Sequence, residues 1–150
     1  MYKNRFVHHL TKVFVDIMFY GGIICCAALP FAMPKLAFFL GYDKALVLPF
    51  TIILFSSGLC ALFILWQLKA IFKALLGGDP FISANVSCLK KCSAASFVIA
   101  IIYIIKMIFS PTLMTIIIAA MFALLGLFTL TIKDVFAQAV AYKEENDWTV

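Results

Sequence analysis

Apolar residues run along this chain in four blocks, Val13 to Met33, Leu46 to Leu68, Ser93 to Phe109 and Thr112 to Ile132, with short polar interruptions between them. A helix rising 1.5 Å per residue needs about 20 residues to cross about 30 Å of hydrocarbon, and the third block reaches that length if it starts near Cys88. The pattern predicts an all-α chain, a bundle of four transmembrane helices. After Ile132 the pattern changes without breaking. Ile132, Val135, Phe136, Ala139 and Val140 recur at helical spacing, while Lys133, Asp134, Gln138, Glu144 and Glu145 fall largely on other faces. The fourth helix is expected to continue out of the bilayer to about Glu145, roughly 50 Å in all with about 20 Å beyond the hydrocarbon.

Between the second and third blocks lies GGDPFISAN, residues 77–85. Gly77 and Gly78 can end a helix in a left-handed cap, Pro80 cannot continue it, and Ser83 stands where an N-cap would open the next helix. Asp79 could instead cap a short turn beginning at Pro80. The stretch is complete as a hinge. A phosphate cradle would require a Gly-rich loop followed by Lys and Ser or Thr after a strand, which is not found. Pro30 and Pro34 are expected to kink or end the first helix, with Phe38, Phe39 and Tyr42 as interfacial aromatics.

Composition removes the soluble alternatives: 65% of the 150 residues are hydrophobic, 13% are charged, and the mean hydropathy is +1.11. Lys3, Arg5 and Lys12 before the first block suggest a secretory signal, but the block is too long for one and three more spans follow, so it reads as a retained helix. With no internal repeat and only short connections, residues 1–150 read as one integral membrane domain. Its spans are about 13–33, 46–68, 88–109 and 112–132, joined by a loop at 69–87 and closed by an amphipathic tail at 133–150.

Charge sets the expected orientation. Lys3, Arg5, Lys12, Lys69, Lys73, Lys90, Lys91, Lys133 and Lys143 fall on one side, nine of twelve basic residues, leaving Lys35, Lys44 and Lys106 for the other. The positive-inside rule then places both termini and the central loop in the cytoplasm. The net charge of +5 reflects topology and contact with anionic lipid rather than direct binding of nucleic acid.

Within the spans the candidates for chemistry are few. Asp16, four residues after Lys12, reads as a juxtamembrane carboxylate that meets water or a nearby Lys; the alternative is an ion site in a small oligomeric transporter or channel, since four helices alone enclose little volume. Lys106 can snorkel outward and is too far from Asp16 for a relay. Four-helix membrane oxidoreductases use thiol pairs, but Cys25, Cys26, Cys60, Cys88 and Cys92 include no CxxC. Cys88 and Cys92 lack further metal ligands nearby, so the cysteines read as packing residues, with no cofactor and no metal. Small residues such as Gly21, Gly22, Cys25, Cys26, Ser57, Gly58, Ala61, Ala119, Ala123 and Gly126 would let the helices approach closely in lipid.

The polar chemistry concentrates in the loop and tail. Residues 133–150 carry two Lys against Asp134, Glu144, Glu145 and Asp147, so anionic headgroups repel the tail, whereas the central connection carries four Lys against Asp79. Docking of tail on loop is expected: Phe81 against the stripe Val135, Phe136 and Val140, with Lys90 or Lys91 balancing Glu144, Glu145 or Asp147.

The segments GDPFISANVSCLKK and KDVFAQAVAYKEENDWTV resemble those of a bacterial family of small four-helix membrane proteins known only as a domain of unknown function. That family shows a similar G-x-P-F followed by Asn and a basic helix start, and a closing E-N-D-x-T-hydrophobic sequence. Here Trp148 stands in place of an aliphatic residue, and Ala84 in place of an acid. Members are often encoded beside a small Xre/Cro-type helix-turn-helix regulator. The resemblance therefore implies a membrane partner for a transcription factor, and the residues themselves suggest no enzyme. Its partner-binding platform would comprise Gly78, Asp79, Pro80, Phe81, Asn85, Lys90, Lys91, Val135, Phe136, Val140, Glu144, Glu145, Asn146, Asp147 and Trp148, in a chain that could also self-associate.

Overall fold

The computed structural model of the chain describes residues 5–41 and 43–148, with side chains from Phe6 to Asn146 apart from position 42, so Tyr42 lies outside the described residues. Among the described residues the chain forms four α-helices and no strand: α1 (Arg5–Leu40), α2 (Lys44–Leu76), α3 (Ser83–Phe109) and α4 (Leu113–Trp148). All four are long and apolar enough to cross a membrane, the pattern of a multi-pass membrane protein. Each 36-residue outer helix is about 54 Å long at 1.5 Å per residue, so its ends extend well past the hydrocarbon.

The helices outrun the expected spans. α1 continues through Pro30 and Pro34 to Leu40 rather than ending at them. Membrane helices tolerate proline where local adjustment and neighbouring groups satisfy the freed carbonyls. The expected loop at 69–87 shrinks to residues 77–82, because α2 keeps its backbone bonds to Leu76 and α3 begins at Ser83. Lys69, Lys73, Lys90 and Lys91 therefore project from helix ends instead of a loop.

Consecutive helices are antiparallel, and each packs on the next: α1 on α2, α2 on α3, α3 on α4. Among the described residues α1 does not pack against α3 or α4, so the expected bundle is an open strip of four helices with one unclosed side. Small residues set the seams. A Cβ on Gly22 would stand 2.8 Å from the Leu62 side chain, and one on Gly58 would stand 2.7 Å from the Cys26 sulfur, so a larger residue at either position would force the facing side chain to shift in the α1–α2 seam. Gly21 and Cys25 face away from the seam, Gly21 with nothing near its missing Cβ and Cys25 exposed.

Helix α3 is the inner member, burying Asn85, Leu89, Cys92, Ser93, Ala95, Ser96, Ile99 and Ala100. The Cys92 thiol lies 3.8 Å from the Ile64 carbonyl of α2, while Ser93 donates to the Gly126 carbonyl of α4 at 2.9 Å. Beside that bond the Phe97 ring covers Gly126, where an added Cβ would fall 3.0 Å from the ring. The buried hydroxyl of Ser96 donates to the Cys92 carbonyl, so both serines are satisfied in an apolar surrounding.

Candidate functional site

The α2–α3 connection is built as a helix stop with one sharp reversal. The Gly77 N–H bonds the Lys73 carbonyl, the Gly78 N–H bonds the Leu75 carbonyl, and Gly78 turns the chain at φ 92°, a left-handed conformation that suits glycine. The expected capping does not form. Ile82, extended at φ −125° and ψ 148°, precedes α3 with no side-chain cap, and Ser83 is already helical. The work falls to Asn85, buried to 2% exposure, whose amide donates to the Pro80 carbonyl at 2.7 Å. That bond ties the first turn of α3 back to the connection and holds Pro80 and Phe81 in place. No turn begins at Pro80, so Asp79 stays exposed with its carboxylate available.

The tail of α4 meets this connection. The Phe81 and Phe136 rings lie 5.2 Å apart between centroids and 50° from parallel, a tilted aromatic pair. Lys143, two turns further along α4, pairs with the Asp79 carboxylate. Loop and tail thus form one continuous surface at the end of the strip where α2 stops and α3 starts. Both side chains of the ion pair are about half exposed, at 45% and 50%, so water screens it and packing carries most of the attachment.

The expected partners divide. Phe81 and Phe136 come together and Val140 is half-buried beside them in sequence, but Val135 is 58% exposed. The contacts that α4 makes with α3 include Thr115 with Lys106 and Gly126 with Ser93 and Phe97, and Ala119 is buried between them in sequence, whereas Val135 faces outward. The expected charge pairing is also reversed. Among the described residues neither Lys90 nor Lys91 pairs with the tail; an acid of the connection pairs with a lysine of the tail. Lys90 and Lys91 sit between the seam residues Leu89 and Cys92 and are exposed, with Lys91 beside Leu59, Cys60 and Phe63 of α2. Glu144, Glu145 and Asn146 are exposed on the last turns of α4, while the side chains of Asp147 and Trp148 lie outside the described residues.

Asp16 is paired across a seam. Its carboxylate oxygen is 2.9 Å from the Lys69 ammonium of α2, the two side chains being 31% and 26% exposed. The same ammonium stands 4.6 Å and 4.7 Å from the Phe19 and Tyr20 ring centroids, so α1 wraps the charge in aromatic faces. Lys69, rather than Lys12, is the partner. All five cysteines are free thiols, Cys26 and Cys92 buried in the seams, and among the described residues no three His, Cys, Asp or Glu side chains converge on a metal-sized site.

A second polar constellation lies at the opposite end, where sequence reasoning assigned Lys106 only an outward reach. The Lys106 ammonium donates to the Thr115 hydroxyl at 2.8 Å, the Thr115 and Thr112 hydroxyls are 2.7 Å apart, and the ammonium lies 5.4 Å from the Phe50 ring centroid. Thr115 is 1% exposed. All four helices line the adjoining cleft of about 520 Å³, although among the described residues the α1 and α4 backbones stay apart. The spacing of Lys106 and Thr115 across the tight Ser110–Pro111 turn was the available sequence signal, since antiparallel helices bring such residues to one level.

No curated protein and no solved structure matched this chain. A family model described as "Protein of unknown function (DUF2975)" matches residues 35–150, from the last turns of α1 to the end of the tail, including the whole loop and tail surface. The chain belongs to the DUF2975 family of proteins of unknown function.

Proposed function

We propose that this chain is a regulatory membrane protein that holds a soluble cytosolic protein on the surface formed by the 77–82 connection and the end of α4. In this reading it is a multi-pass protein of a bacterial inner membrane with both termini in the cytoplasm. The observation that supports it is the joint between Phe81 and Phe136, reinforced by Asp79 and Lys143, which makes two distant segments into one shaped surface. A hinge alone would need no aromatic from α4 laid against it. The exposed acids Glu144 and Glu145 give the surface an acidic rim and Lys90 and Lys91 stand on its α3 side, while Trp148, whose side chain lies outside the described residues, is a residue type that concentrates binding energy at interfaces. The partner is a helix-turn-helix transcription regulator, as the resemblance implies, and the chain itself makes no contact with nucleic acid and carries no catalytic centre. Transport through Asp16 is the lesser reading, because the carboxylate is already paired with Lys69 near the loop end.

Co-purification with the product of the neighbouring gene tests the proposal. Wild type should capture it, while Phe81→Ala and a truncation after Tyr142 should capture less. Unchanged capture by both variants would leave the connection as a hinge.

A further inference from the structure

The end of the strip opposite the loop holds a cation in an unusual setting. Lys106 projects from the last turn of α3 into an apolar cleft, and among the described residues no carboxylate lies within ion-pair distance of it. Its polar neighbours are neutral: the Thr115 hydroxyl, which in turn contacts Thr112, and the face of Phe50. These groups orient the ammonium without neutralising it. A charge in so apolar a setting favours an anionic counterpart, since solvation is poor and the attraction is weakly screened.

The cleft around it has the size and lining of a ligand site. Its volume of about 520 Å³ lies within the range of about 300 to 1,000 Å³ common for bound small molecules. Leu36 and Ala37 of α1, Leu54 of α2 and Ile118 of α4 make its walls apolar, and Tyr103 and Ser110 add polar atoms near Lys106. Because α1 and α4 do not pack together, the cleft is bounded on that side by a gap that surrounding lipid can enter.

One occupant combines a negative headgroup, an acyl chain and constant supply at this depth. We propose that the Lys106 cleft binds an anionic phospholipid of the leaflet opposite the loop, its phosphate against the Lys106 ammonium and an acyl chain along the apolar walls between α1 and α4. The lipid would close the open side of the strip at this end, bridging two helices whose backbones do not approach each other among the described residues. This site is independent of the loop and tail surface and does not depend on a cytosolic partner.

The full chain, purified in detergent and stripped of lipid, is titrated with phosphatidylglycerol, with phosphatidylcholine of the same acyl chains, and with inorganic phosphate, binding being read by native mass spectrometry. Wild type should retain phosphatidylglycerol over phosphatidylcholine by at least about fivefold, the factor expected of one basic residue near a headgroup. Lys106→Gln should lose that preference, Lys106→Arg should keep it, and Lys44→Gln, exposed at the same end outside the cleft, should keep it too. Met114→Trp places an indole in the cleft from a side chain that is 68% exposed, and should lower retention of phosphatidylglycerol without disturbing a buried seam. Equal retention of the two lipids by wild type, a preference that survives Lys106→Gln, or displacement of bound lipid by inorganic phosphate would overturn the proposal. If Lys106→Gln does not fold, Met114→Trp decides, and undiminished binding there is equally fatal.

Discussion

Replacing Phe81 by Ala removes the aromatic joint between the connection and α4 while leaving both backbones intact. Phe81 retains 41% of its exposure, so somewhat more than half of its surface is taken up by packing. Complete burial of a Phe side chain stabilises by about 1.5 to 3 kcal/mol, which scales here to about 1 to 2. A tilted aromatic pair contributes about 0.5 to 1.5 kcal/mol more. Reference to a partly collapsed alternative state lowers the sum, so about 2 kcal/mol is the expected loss. The half-exposed Asp79–Lys143 pair contributes under about 1 kcal/mol, and Asp79→Asn should cost correspondingly less. The assay is hydrogen–deuterium exchange in lipid nanodiscs, followed at peptides covering residues 136–146. A loss of about 2 kcal/mol raises the open fraction of the tail by roughly thirtyfold, so Phe81→Ala should accelerate exchange there by more than tenfold. Asp79→Asn should accelerate it by less than about fivefold. Protection in Phe81→Ala equal to wild type, or a larger effect from Asp79→Asn, would refute the view that ring packing rather than charge fixes the tail.

The other expectations concern the seams and the orientation. Gly126→Ala puts a methyl 3.0 Å from the Phe97 ring and should destabilise α3–α4 packing by about 1 to 3 kcal/mol, seen as a lower melting temperature of the purified protein. Ser93→Ala removes only the 2.9 Å bond to the Gly126 carbonyl, worth about 0.6 kcal/mol on the average for membrane proteins, so it should melt much closer to wild type; a larger loss than Gly126→Ala would reverse this ranking. Asp16→Asn should fold with little loss and capture the neighbouring gene product normally, and a liposome cation flux present in wild type but absent in this variant would favour transport. A reporter active only outside the cytoplasm should be silent after residue 150 and active after Gly41, and the opposite result would invert the proposed orientation.

Helix identity was legible because hydropathy and length are read residue by residue. The passage of α4 into its tail was equally plain, since Phe136 and Val140 kept the 3.6-residue period beyond the last continuous apolar run. Contact between Phe81 and the tail could be anticipated from one aromatic in a loop otherwise made of turn residues. Side-chain partners were harder. The choice of Lys90 or Lys91 as the basic partner failed because charge counting ignores azimuth: both project beside the α3 seam, and Lys143 reaches Asp79 instead. The same blindness hid the pairing of Asp16 with Lys69, which are distant in sequence but level in the antiparallel α1–α2 pair. Strip closure could not be foreseen at all from apolarity, since in lipid an outward Leu and a packed Leu meet equally apolar surroundings and only close-fitting positions such as Gly22 and Gly58 report a neighbour. Asn85 was singled out for the surface, yet its buried side chain serves the connection from within through Pro80.

Helix α1 answers to a single neighbour. Its ties are the Gly22–Leu62 and Cys26–Gly58 approaches and the Asp16–Lys69 pair, all with α2, while Phe14, Ile17, Ile24 and Phe31 face outward at 62%, 64%, 69% and 77% exposure. Among the described residues, substitution at those outward positions touches no contact within the chain. The match to the family model begins at residue 35, within the last turns of α1, and covers all of α2, α3 and α4. Among the described residues α1 thus meets the rest of the backbone fold along one seam, so apolar exchanges on its outer face are expected to leave the distant loop and tail surface unaltered.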